Sequence, residues 1–129
     1  MKQPTKLAYF FIKLPLALSM LGHGLVRLPK LQGFSQWMVT FMEKSYLPRF
    51  MVMGFSYVVP FVELLVGAFL LLGIFTVPIL YVGLVLVALF AFGNTTIENW
   101  DSITSELLHG AYMTLLLLLY PNVKESIEK

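Results

Sequence analysis

Phe50 to Gly73 reads FMVMGFSYVVPFVELLVGAFLLLG, and this stretch decides the fold. Its only acidic or basic side chain is Glu63, and it ends on a glycine. A helix needs about 20 mostly apolar residues to cross the hydrocarbon core of a bilayer, and this stretch supplies them. Three further stretches are of the same kind, about Lys6–Leu28, Val77–Asn94 and Ile103–Tyr120. Pro15 and Pro60 fall inside spans, a placement that helices in lipid tolerate when neighbours satisfy the freed carbonyls. The whole chain agrees. Of its 129 residues 58% are apolar and 12% charged, against roughly 25% charged in an ordinary soluble domain. Too few polar side chains are present to cover a water-facing surface, and the length leaves room for one domain only, residues 1–129.

The connections set the topology. Residues 74–76 form so short a turn that spans two and three must be antiparallel neighbours, and residues 95–102 require the same of spans three and four. The expected fold is therefore all-α, an integral membrane antiparallel four-helix bundle. The long connection, residues 29–49, carries a short amphipathic helix over about 34–45. Phe34, Trp37, Met38, Phe41 and Met42 recur at helical spacing, with Ser35, Gln36, Thr40, Glu43 and Lys44 elsewhere on the wheel. Two placements fit: in the headgroup region with Trp37 as interfacial anchor, or as a cap packed on the bundle end. Lys2 and Lys6 precede the first apolar run as in a signal peptide. The run is long, contains Lys13, His23 and Arg27, and lacks a small-residue cleavage site, so it reads as a retained span. Lys2, Lys6, Lys13, Lys124 and Lys129 lie toward the termini, and Arg27, Lys30, Lys44 and Arg49 toward the 29–49 side. That slight excess places both termini in the cytoplasm.

With no cysteine there is no disulfide, no iron–sulfur cluster and no thiolate zinc site. No metal site is expected. The net charge of +2 and the lack of a basic stripe argue against nucleic acid as a partner.

Ionisable groups inside spans are costly and mark function. Placed by helical rise, His23 lies about 8 Å inside the boundary on the 29–49 side, with Arg27 one turn nearer it. Glu63 is near the midplane, Asn94 ends span three, and Glu106 and His109 open span four. All fall in the same half of the membrane. Their stripes agree: Ser19, His23 and Arg27; Ser56, Pro60, Glu63 and Gly67; Gly83, Val87, Phe90 and Asn94; Glu106, His109, Gly110 and Met113. Facing these stripes inward makes a polar pocket open toward the 29–49 side. The candidate ligand-binding residues are His23, Arg27, Glu63, His109 and Asn94. Glu106 reads more simply as an acid at a helix N-terminus.

The blocks Gly22-His23-Gly24-Leu25-Val26-Arg27-Leu28 and Pro60 to Thr76, with its E-x-x-x-G-x-x-L-x-x-G pattern from Glu63 to Gly73, resemble the DoxX family of small four-helix bacterial membrane proteins. The resemblance covers roughly residues 10–118. It implies a link to membrane oxidoreductases, including quinone-coupled thiosulfate oxidation, and it carries over onto His23, Arg27, Glu63 and Gly67. Where the family often has a basic residue after the second span, this chain has Val77. His109 matches no motif.

Two readings of function follow. In the first, the pocket binds a quinone-like headgroup, with His23, Arg27 and His109 donating to its carbonyls and Glu63 relaying protons, in a subunit of an oxidoreductase system. Whether this chain is itself an enzyme stays open, because electrons would come from a partner. In the second, it is a non-catalytic module that binds or moves a small amphiphile or scaffolds a complex. Haem held by His23 and His109 ranks behind both. The implied partners are the lipid bilayer of the bacterial cytoplasmic membrane, an oxidoreductase subunit and further copies of the chain.

Overall fold

The computed structural model describes residues 6–128, and side chains as far as residue 120. Lys2, Lys129 and the side chain of Lys124, which enter the orientation argument, lie outside the described residues. Among the described residues all regular structure is helical: α1 (Lys6–Arg27), a 3₁₀ turn (Leu28–Lys30), α2 (Leu31–Phe41), α3 (Arg49–Leu72), α4 (Thr76–Thr96) and α5 (Trp100–Glu128). Among the described residues, four stretches are long and apolar enough to cross a membrane: Lys6–Phe41, Arg49–Leu72, Thr76–Thr96 and Trp100–Tyr120. These four apolar helices fit a membrane protein in contact with lipid.

The boundaries follow from local chemistry. α3 starts after Pro48, whose extended backbone cannot continue a helix but whose carbonyl accepts from the amides of Met51 and Val52. It stops at Gly73, which takes the left-handed conformation at φ 74°. There the Gly73 amide reaches Leu70 O at 3.3 Å and the Ile74 amide reaches Phe69 O at 3.0 Å. This satisfies carbonyls that the helix end leaves open. Pro78 sits in the first turn of α4, where its missing N–H costs nothing.

Two expectations need correction. The amphipathic helix is present between α1 and α3 but shifted from the expected 34–45. It begins at Leu31 and ends at Phe41, joined to α1 by a single 3₁₀ turn. Pro29 lies in that turn, and Lys30 leaves helical geometry at φ −116° and ψ 30°, so the chain bends there without a loop. The irregular stretch follows the helix, at 42–48. The last helix also continues past Tyr120 to Glu128. Pro121 marks the end of the apolar run but not of the helix.

α1 packs most extensively on α3 and also meets α5; α4 packs on α5 and α3; α2 lies against α3. The α1–α3 contact is close because small residues stand at it. A Cβ on Gly67 would overlap the backbone of Leu21 and Ala17, and one on Gly24 would overlap Leu64. α1 and α5 are tied by two tyrosines. Tyr9 Oη donates to Leu116 O at 2.9 Å, and Tyr112 Oη donates to Ile12 O. The core between these contacts includes Ala17, Val59, Val66, Leu70, Leu80 and Met113. Lys13 is buried at the end of this core away from α2, with its Nζ 5.8 Å from the ring centres of Tyr9 and Phe10.

Candidate functional site

At the end of the helices where α2 lies, a cavity of about 730 Å³ is walled by all five helices. That volume is within the usual range for small-molecule sites, roughly 300–1,000 Å³. His23, Arg27, Glu63, Asn94 and His109 all line it. Each comes from a different register: α1 contributes its last two turns, α3 its midpoint, α4 its last turn and α5 its first three.

Glu63 is almost enclosed while Arg27 is partly open, with side-chain exposures of 6% and 29%. Arg27 Nη1 donates to Glu63 Oε1 at 2.7 Å, a charge-assisted bond across the α1–α3 contact. The Arg27 guanidinium also lies over Phe34 of α2, 4.6 Å from the ring centre. Arg27 therefore holds α1, α2 and α3 together at the cavity.

The two histidines share one geometry. His23 Nδ1 is 2.6 Å from Ser19 O, and His109 Nδ1 is 2.9 Å from Ser105 O, each one helical turn back. A carbonyl oxygen only accepts, so Nδ1 carries the hydrogen and a neutral ring presents a lone pair at Nε2. This changes the roles expected of them. When neutral, each ring thus faces the cavity with an acceptor rather than with the donor expected for a quinone's carbonyls.

Asn94 lines the cavity with its hydrogens already engaged. Its Nδ2 donates to Phe90 O at 3.0 Å and to Glu106 Oε1 at 2.6 Å, while its Oδ1 accepts from Asn99 Nδ2 at 3.1 Å. Asn99 also reaches Ser102 Oγ at 2.9 Å. Asn94 thus positions Glu106 and has no donor left for a ligand.

Glu106 is the wall residue that the reading as a helix-end acid passed over. One of its carboxyl oxygens holds Asn94, and the other, Oε2, is buried with no partner. Its place on one face with His109 was the available signal.

One apolar wall comes from α2 and the residue after it. Phe34, Trp37, Met38, Phe41 and Met42, the whole amphipathic stripe, face the cavity. Phe34 stacks on Trp37 at 5.9 Å and Trp37 on Phe41 at 5.1 Å between ring centres. α2 is fixed against α3 by Ser35 and Ser56, whose buried hydroxyls lie 2.7 Å apart. Phe55 and Phe90 meet edge to face at 5.5 Å on another wall. Among the described residues no three histidine, aspartate or glutamate side chains come together to hold a metal ion.

Compared with known proteins, the chain matches no family model, no curated protein and no solved structure.

Proposed function

We propose that this chain is an integral membrane protein whose four apolar helices form an antiparallel bundle, and that its cavity binds the headgroup of a quinone-like molecule. One observation carries the reading: a single cavity joins stacked aromatic walls to His23, Arg27 and His109. A flat ring with polar edges fits such a site, with an apolar tail leaving along the methionine- and phenylalanine-lined wall. In this reading the chain is a subunit of an oxidoreductase system in the bacterial cytoplasmic membrane. It supplies the binding site while a partner supplies electrons. The resemblance of the His23–Arg27 and Glu63–Gly73 blocks to the DoxX family supports that assignment, and the lysine distribution supports cytoplasmic termini.

A second reading has its own support. Met20, Met38, Met42 and Met51 all line the cavity, and methionine walls adapt to ligands of differing shape. That favours a module that binds or moves a small amphiphile, or that scaffolds a complex, without redox chemistry. Native mass spectrometry of the protein released from its membrane decides between them. A retained quinone, alone or with an oxidoreductase subunit, is the expected result. Retention of phospholipid alone would replace the first reading with the second.

A further inference from the structure

A quinone-like ring exists in two forms with opposite hydrogen-bonding character. The oxidised dicarbonyl only accepts, whereas the reduced dihydroxy form both donates and accepts. The cavity discriminates between them. His23 and His109 have each given their Nδ1 hydrogen to the carbonyl one turn back, at Ser19 and Ser105, and offer lone pairs at Nε2. Both Asn94 Nδ2 hydrogens are spent on Phe90 and Glu106. Glu106 itself has an oxygen lacking a donor. Arg27 has committed Nη1 to Glu63 and keeps its other guanidinium hydrogens. A hydroxyl can donate to an imidazole and accept from Arg27 at once, whereas a carbonyl facing an imidazole lone pair is repelled.

Resting on the quinone reading above, we propose that the cavity holds the reduced, dihydroxy form in preference to the oxidised form, with His23 and His109 Nε2 accepting from its hydroxyls. No chemical step is attached to this. It is a binding preference set by two histidine tautomers, each fixed by its own helix.

The test is anaerobic equilibrium dialysis of the full chain in detergent, with empty micelles as control. The probes are menadione, menadiol kept reduced by dithionite, and the dimethyl ether of menadiol, which has the ring and oxygens but no hydroxyl hydrogen. Menadiol should bind about tenfold more tightly than either other probe, the worth of about one net hydrogen bond. His23→Phe and His109→Phe should each reduce that preference to about threefold, with menadiol binding more weakly and menadione, freed of one facing lone pair, binding no less tightly than to the parent. His109→Gln, which offers a donor as well as an acceptor, should bind menadione better than the parent. If a Phe variant fails to fold, the Gln variants of both histidines decide by that same gain. Equal binding of all three probes, or a preference that survives undiminished at both histidine variants, overturns the proposal and leaves the quinone reading standing. Binding of none of the probes by folded protein overturns both.

Discussion

Glu63 and Glu106 are both carboxylates on the cavity wall, and their surroundings give them different work. Glu63 is fixed by Arg27 at 2.7 Å, so its charge is balanced. Removing one partner of a buried pair typically costs about 3–5 kcal/mol. Because Arg27 is partly open, Glu63→Leu should cost about 3 kcal/mol, seen as a lower melting temperature in detergent or as lost protein in the membrane. Glu63→Gln keeps the shape and an acceptor for Arg27. It should stay folded but weaken ligand retention, because Gln can neither balance the guanidinium nor take a proton. Full ligand retention by a stable Gln variant would favour the scaffold reading. Glu106 has a bonded oxygen and an orphaned one. Glu106→Gln keeps an acceptor for Asn94 and removes a charge from a half-buried position, so it should melt no lower than the parent. Glu106→Leu strands Asn94 and should cost about 1–3 kcal/mol. A Gln variant that melts as low as the Leu variant would show that the charge itself is stabilising.

At the scale of elements, the α1–α3 contact sets the cavity, because it brings His23 and Arg27 beside Glu63. Its closeness depends on Gly67, where any Cβ would meet main chain, which cannot swing aside as a flexible side chain can. Gly67→Ala should therefore cost about 1–3 kcal/mol, the usual range for overpacking, and should weaken the Arg27–Glu63 pair with it. Gly22→Ala is the control. It lies on the same helix as Gly24, with nothing near its missing Cβ, so it should leave the melting temperature unchanged or raise it slightly. Equal effects at the two glycines would remove close packing as the explanation. α1 is also held to α5 by the tyrosine hydroxyls, and Tyr9→Phe should cost about 1 kcal/mol, since Leu116 O loses its donor. The sequence stripes already placed Gly67 and Glu63 on one face of α3. The tyrosine clasps were not legible, because a tyrosine in an apolar helix reads as one more aromatic until its hydroxyl finds a carbonyl about a hundred residues away along the chain.

For the whole molecule, orientation is the first prediction. With cytoplasmic termini the cavity end faces outward, so a label that cannot cross the membrane should reach a cysteine placed at Lys44 in intact cells and miss one placed at the C-terminus. Labelling of the C-terminus from outside would reverse the arrangement. What the sequence determined by itself was the helix inventory. Hydropathy, proline and glycine act locally, so four long apolar helices, the stop at Gly73 and the amphipathic stripe of α2 could all be read directly. It also put His23, Arg27, Glu63, Asn94 and His109 in the same half of the membrane, since helical rise converts position into height. Tertiary structure alone decided what those groups can offer. Through the 3₁₀ turn at Leu28–Lys30, α2 packs along α3, so that Trp37 and Phe41 wall a cavity. The meeting of α4 with α5 spends Asn94 on Glu106 and leaves one oxygen of Glu106 without a partner. Hydrogen-bonding capacity is finite, and whether a distant side chain has already used it depends on how the helices are turned against one another, which no local pattern specifies.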